Sequence, residues 1–334
     1  MMNNSRSFAE TISASDDCVT YIGRTQQCEG RVALDWTAST IRLCMNADTL
    51  RMRISDTGRN RYNVYWNRSQ SAIPDTIIET CQDMEIVLIA PYRGHNQLTL
   101  VKRTEGEQGR TTFHSFSANG HFFPASPCQR LIEFIGDSYS CGYGADGADS
   151  TSHFMMETES VCKAFPLLIA DSLHADAVVI AHSGMGVIRN YNSKFADWTM
   201  PVRYEHTFDM DSTSLSFWHG WDKLRPIMTV VFLGGNDFSV NVLPDKQEFI
   251  VGYKNLLKQI KSHYGESHPI LCVVKCNDTL LSEYVQEAVC SSSWSNISFI
   301  ALNQREYMPD GRYRGADSHP NELAHQRIAS TLIP

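Results

Sequence analysis

The hydrophobic pattern of this chain changes period once, near residue 125, and that change limits the possible folds more than any other feature. Before it, apolar and polar residues alternate. In 50-LRMRISD-56, Leu50, Met52 and Ile54 alternate with Arg51, Arg53 and Ser55, which is the pattern of a strand with one buried and one wet face. Similar runs follow at 62-YNVYW-66, 84-MEIVLIA-90, 97-QLTLVKR-103 and 111-TTFHSF-116. Turn-forming residues separate them at 56-DTGRN-60, 93-RGHN-96 and between Glu105 and Gly109. No amphipathic helix interrupts the series, so residues 1–126 are expected to form an antiparallel β-sandwich.

The stretch 121-HFFPASPCQR-130, with two prolines and a serine, reads as a linker, and residues 127–334 as a second domain. Here near-continuous apolar runs, 131-LIEFI-135, 177-AVVIA-181, 227-IMTVVFL-233, 270-ILCVVK-275 and 297-ISFIAL-302, alternate with helical stretches. The expected helices cover 161–175, 246–264, 280–289 and a last one from Asn321 towards Leu332. Apolar strands separated by helices predict an α/β fold, a parallel sheet covered on both faces. Residues 182–226, rich in Trp, His, Met and Asp, read as a long insertion over that sheet.

Composition narrows the partners. The net charge of −8 falls entirely on the part after residue 126, because the first part is balanced. An acidic half argues against nucleic acid or an anionic membrane as partner and suits a neutral substrate such as a sugar. No apolar run approaches the ~18 residues of a membrane span. The ten cysteines include no C-x-x-C pair and no zinc-type spacing, so no metal site is expected. Cys44, Cys162 and Cys272 lie in apolar runs and read as buried free thiols. That usage, together with a start lacking the apolar core of a signal peptide, gives a cytoplasmic rather than secreted expectation.

Ligands of a doubly wound sheet bind beyond the carboxyl ends of its strands. Four polar clusters fall at such ends: 136-GDS-138, 182-HSGMG-186, 234-GGND-237, and 317-DSHPN-321 ahead of the last helix. A serine hydroxyl is a weak nucleophile that needs an adjacent base, and a histidine with a pKa near ~6.5 suits that role. Ser138 and His319 are the candidates. The oxyanion needs preorganised donors. The N–H of Ser138, a glycine N–H from 183-SGMG-186 and the amide of Asn236 are the three on offer.

The quartet Ser138, Gly184, Asn236 and His319 resembles the Ser-Gly-Asn-His signature of the SGNH (GDSL-type) hydrolases. With 22-IGR-24, 102-KRTEG-106, 133-EFIGDSYSCGYG-144, 183-SGMGVIRNY-191, 221-WD-222, 232-FLGGNDFS-239 and 319-HPN-321, the chain is similar to carbohydrate esterase family 2 from residue 22 to its end. The resemblance implies a jelly-roll sandwich followed by a three-layer SGNH hydrolase domain. It implies removal of O-acetyl groups from carbohydrates through an acetyl-enzyme, without cofactor or metal. Ser138 matches the nucleophile, His319 the base, Asn236 the oxyanion amide and Gly184 the glycine donor, with Gly186 an open alternative. The broad pattern has an acid three positions before the histidine, where this chain has Ala316. Asp317 is then the expected orienter of His319, a backbone carbonyl the alternative. Arg189 and Tyr191 match a family stretch and are expected to shape the substrate pocket, with Trp221 a further candidate for sugar contact. Asp137 and Asp237 read as structural carboxylates that hold their turns. Two other readings stand beside the acetylesterase: an SGNH hydrolase of lipid esters or thioesters, and a non-enzymatic carbohydrate-binding protein. Which sugar, which hydroxyl and which oligomeric state are left open.

Overall fold

The computed structural model describes residues 8–68, 73–125, 130–193, 197–276 and 278–333. Up to Phe123 the described residues form ten strands that hydrogen-bond as one antiparallel sheet folded over on itself. Its hinge is the strand Thr49–Trp66, which the DTGRN segment was expected to break. The chain instead absorbs the turn residues as a bulge between Asp56 and Arg59 and runs on. Its first half pairs with Thr111–Ala118, its second with His95–Lys102, and Thr76–Ile89 follows it along both. Leu50, Met52, Ile54, Tyr62, Leu98, Phe113 and Phe116 close the core between the layers. The start of the expected linker, His121–Phe123, belongs to this sheet and pairs with Thr40–Asn46. The expected boundary at 126/127 falls outside the described residues.

The second sheet is parallel and has five strands. In spatial order they are Asp176–Ala181, Leu131–Gly136, Met228–Phe232, Ile270–Lys275 and Ile297–Leu302. Side chains alternate between faces, as the pleat requires. Ile135, Val178, Val231 and Cys272 pack under the helices Lys246–Tyr264 and Thr279–Cys290. Phe134, Val179, Val230 and Val273 pack under Phe165–Ser172 and Glu322–Leu332. The helix Lys246–Tyr264 forms where the sequence places it: Asp245 caps it, and Phe249, Tyr253, Leu256 and Ile260 make one apolar stripe. The helix expected over 161–175 is shorter. A turn at Val161–Lys163 and the extended Ala164 precede it, and Pro166 lies in its first turn, where a missing N–H is harmless.

The two sheets are joined by buried polar contacts. Arg24 donates to the carbonyls of Tyr204 and His206, and the Trp36 indole N–H to the Thr207 carbonyl at 3.0 Å. Arg42 pairs with Asp176, and Arg103 with Asp146. Their partners Tyr204, His206 and Thr207 belong to the expected insertion, which covers the edge of the parallel sheet with turns and one short helix, Met200–Arg203.

Candidate active site

Strand order puts the site where it is. Leu131–Gly136 lies between Asp176–Ala181 and Met228–Phe232: the chain passes from it to Asp176–Ala181 on one side, then crosses back to Met228–Phe232 on the other. The carboxyl ends of these strands therefore border a crevice at the switch point. Beyond Gly136, Asp137 caps the single turn Ser138–Cys141, its carboxyl accepting the Tyr139 N–H at 3.2 Å. Burial pushes the Asp137 carboxyl up to about 6, with the Lys275 ammonium pulling the other way. Ser138 is 9% exposed, and its hydroxyl lies 3.0 Å from His319 Nε2. The glycines that follow are explained by two close approaches. Gly142 and Gly144 both have positive φ, and a Cβ on them would meet the carbonyls of Ser160 at 2.2 Å and Ala316 at 2.7 Å. Gly144 thus lets the Ser138 loop lie against the turn that carries His319.

That turn is unusual. Asp317 (φ 50°) and Ser318 (φ 63°) are both left-handed, at a cost of roughly 1 kcal/mol each for residues with a Cβ. The conformation aims the Asp317 backbone carbonyl at His319 Nδ1, 3.3 Å away. Nδ1 then carries the proton, leaving Nε2 free to accept the Ser138 hydroxyl. The ring is enclosed by Tyr143, tilted against it at 4.3 Å, and Tyr139, edge-on at 5.8 Å. Burial lowers the His319 pKa to about 4; its bond to the carbonyl opposes this and nearby Lys275 adds to it. The imidazole is thus neutral, as a base must be, across the neutral range.

The Asp317 carboxylate does not orient His319. It accepts from the Tyr143 hydroxyl at 2.9 Å and the Phe154 N–H at 2.9 Å, and lies 3.0 Å from His153 Nδ1. Residues two apart share a side only in extended chain, and the left-handed pair here turns the carboxylate away. His153 and Tyr143 hold its pKa below the usual carboxylate value.

Of the expected oxyanion donors, Asn236 lies beside the nucleophile turn in the short turn Gly235–Phe238. Its amide already donates to the Met185 carbonyl at 2.8 Å and to Asp137 at 3.2 Å. Gly186 is separated from Gly184 as a candidate, because its N–H donates to Asn190 at 3.2 Å. Gly184 begins a turn closed by the Tyr191 N–H on its carbonyl at 2.7 Å. Asp237 accepts the N–H groups of Val187, Ile188 and Arg189 at 2.8, 2.8 and 3.1 Å, fastening this loop to the asparagine loop.

The expected substrate residues divide. Tyr191 is 61% exposed beside Gly184, at the rim. The Arg189 guanidinium is buried and bound to the carbonyls of Asp237 and Val242, both at 2.6 Å, so it braces the loop rather than facing a ligand. Trp221 stacks on His263 at 3.6 Å and against Arg24 at 4.7 Å. Arg24 reaches Glu133, in the amino-terminal half of the strand Leu131–Gly136 and so away from Ser138 beyond its carboxyl end, and Trp221 packs towards the base of the sheet. His182 is buried against Asp209 at 2.7 Å. Burial works against its charge, but Asp209 and Glu105 outweigh it and raise the imidazolium to about 9. Among the described residues no group of three or more His, Cys, Asp or Glu side chains is arranged to hold a metal ion.

Three neighbours were not read from the sequence. Lys275 ends an apolar strand and lies 4.5 Å over the Tyr139 ring. Phe154 stacks on Tyr143 at 4.3 Å. Glu105 reaches the glycine loop from the other sheet. Lys275 carried a signal, a charge at the carboxyl end of a strand, and Glu105 stands in the 102-KRTEG-106 stretch that contributes to the resemblance.

Comparison with known proteins agrees with this architecture. Residues 21–127 match the family model "Carbohydrate esterase 2 N-terminal". Cellulase/esterase CelE of Acetivibrio thermocellus is 29% identical over 306 residues, which is 89% of this chain and 36% of that protein. The chain thus spans about a third of that relative. An acetylxylan esterase/glucomannan deacetylase of Cellvibrio japonicus is 24% identical, covering 99% of this chain and 92% of that one. A family two carbohydrate esterase from Clostridium thermocellum, solved in complex with cellohexaose, superposes with a TM-score of 0.81 at 25% identity, over 94% of this chain and 98% of that one. With its N-terminal sandwich and its SGNH-like parallel sheet, the chain is similar along nearly its whole length to family two carbohydrate esterases, and residues 21–127 match that family's N-terminal model.

Proposed function

We propose that this protein is a serine esterase that removes O-acetyl groups from carbohydrates, working with a Ser138–His319 dyad. The observation that carries the reading is the 3.0 Å contact between Ser138 Oγ and His319 Nε2, with Nδ1 held by a backbone carbonyl. Ser138 Oγ attacks the acetyl carbonyl carbon while Nε2 takes its proton. The tetrahedral oxyanion is met by the N–H groups of Ser138 and Gly184 and by the Asn236 amide, which releases its longer bond, to Asp137. Nε2 returns the proton to the leaving sugar oxygen. Water then attacks the acetyl-enzyme by the same base, and acetate leaves. Tyr191 at the rim offers a ring face to the sugar.

The carbohydrate assignment is supported by the names of the relatives, an acetylxylan esterase/glucomannan deacetylase and a cellohexaose complex. Acetylated xylo- or manno-saccharides are the substrates to test. Acetate release followed by NMR from a panel of acetylated oligosaccharides reports sugar and position together. Wild type should release acetate, and Ser138→Ala and His319→Ala should each fall by at least ~10³. Wild-type rates in both variants would refute the dyad. A preference for long acyl chains over acetyl would refute the carbohydrate reading.

A further inference from the structure

One carboxyl group from the sandwich lies beneath the cleft of the other sheet. Glu105 follows the strand His95–Lys102, yet its side chain is fully buried against the loops that carry the proposed catalytic groups. Oε2 accepts the backbone N–H of Ser183 at 2.6 Å, and Oε1 accepts the Ser183 hydroxyl at 2.6 Å. The Cys141 thiol donates to Oε2 at 3.5 Å. Ser183 immediately precedes Gly184, and Cys141 ends the turn that Ser138 begins. One side chain therefore touches both segments that must keep register if the Gly184 N–H is to face an oxyanion on Ser138.

Glu105 is itself held firmly. Its N–H donates to Glu159 Oε1 at 2.9 Å, and its carbonyl accepts Lys102 Nζ at 3.0 Å. Arg103, two positions before Glu105, donates to the Glu159 carbonyl at 2.8 Å. Burying a carboxyl group is unfavourable unless donors satisfy it. Both strong donors here come from the one residue before the oxyanion glycine. Joining the two sheets does not require Glu105, because Arg24, Trp36 and Arg42 already do so at other points.

We infer that Glu105 is a positioning residue for the esterase reaction, holding Ser183 so that the next N–H, that of Gly184, faces the oxyanion formed at Ser138. The inference rests on the proposed function. It makes the sandwich part of the catalytic unit, in place of a detachable binding module.

The test compares two side chains of similar length in the full chain. In Glu105→Gln the amide oxygen still accepts the Ser183 N–H while its NH₂ donates to the Ser183 hydroxyl oxygen. Glu105→Met fills the space and accepts nothing. Each variant is titrated with a fluorophosphonate, so that rates refer to competent sites, and assayed for acetate release. Glu105→Met should lose on the order of 10² in kcat per titrated site, the range of a lost oxyanion donor, with KM within threefold. Glu105→Gln should stay within fivefold of wild type. Should Glu105→Met not fold, Glu105→Asp, which withdraws the acceptor by one methylene, carries the same expectation. Wild-type kcat per titrated site in Glu105→Met or Glu105→Asp, with only the number of competent sites reduced, would overturn the inference and assign Glu105 a purely structural role. Failure of the esterase reading shows separately, as no acetate release by wild type or unchanged rates in Ser138→Ala.

Discussion

Replacing Asp317 with asparagine tests which group orients His319. If the carboxylate were the third member of a triad, its neutral isostere would cost ~10⁴ in kcat, as it does in serine proteases. The structure gives a different result. The Asn carbonyl oxygen, in place of Oδ2, still accepts from the Tyr143 hydroxyl and the Phe154 N–H, both at 2.9 Å. The Asn NH₂, in place of Oδ1, donates to His153 Nδ1, which accepts in the neutral tautomer. What is lost is the charge of a pair whose histidine is 92% exposed, and such a surface pair is worth under ~1 kcal/mol. Asparagine also tolerates the left-handed φ of 50°. The backbone carbonyl that bonds Nδ1 at 3.3 Å is unchanged. Asp317→Asn should therefore keep kcat within about fivefold of wild type. Asp317→Ala loses all three bonds and suits the left-handed turn less well, so it should fall further, by roughly 10–100-fold. Steady-state hydrolysis of an aryl acetate at pH 7, with thermal melts on the same samples, measures both. A loss of 10³ or more in a well-folded Asp317→Asn would refute the carbonyl-oriented dyad.

Four further outcomes follow from the geometry. Because burial lowers the His319 pKa to about 4, kcat/KM should rise through an acid limb near pH 4 and be flat at neutral pH; a limb near 6.5 would contradict the buried base. Asn236→Ala should cost on the order of 10² in kcat, and an unchanged rate would remove it from the oxyanion site. Trp221→Ala should lower stability by about 2–4 kcal/mol in denaturant melts while leaving kcat/KM alone, since the ring packs on His263 and Arg24. His325 is buried neutral, and burial lowers its pKa to about 3. The unfolded chain takes up that proton first, so its contribution to stability is complete above pH ~6.5 and is lost as pH falls towards 3. Denaturant melts of His325→Gln between pH 7 and 4 should accordingly show a shallower loss than wild type.

Much of the fold was legible because its causes are local. The helix Lys246–Tyr264 has its cap and its apolar stripe within one stretch of chain, and the strands Ile270–Lys275 and Ile297–Leu302 are apolar runs, the first largely buried and the second half-buried at the edge of the sheet. The pairing of Ser138 with His319 was legible for a related reason: both stand at polar breaks where parallel strands or the last helix must place them at one edge. The resemblance to a known family joined those breaks into one site. Short edge elements such as Glu10–Ser13 and Gln26–Cys28 left no such mark, being strands only through their partners. The DTGRN segment is a turn by composition, yet pairing on both sides draws it into one long strand.

The sequence by itself determined the two kinds of sheet and pointed to Ser138 and His319, the proposed nucleophile and base, because periodicity and the chemistry of residue types act along the chain. The tertiary structure decided what depends on direction. Two left-handed residues turned the Asp317 carboxylate outward and its carbonyl inward. The base of the parallel sheet claimed Trp221, Asn190 took the Gly186 N–H, and Glu105 crossed from one sheet to the other beneath the oxyanion loop. Spacing along a chain does not record where a side chain points once the backbone leaves helix or strand, nor which distant loop fills the space beside it.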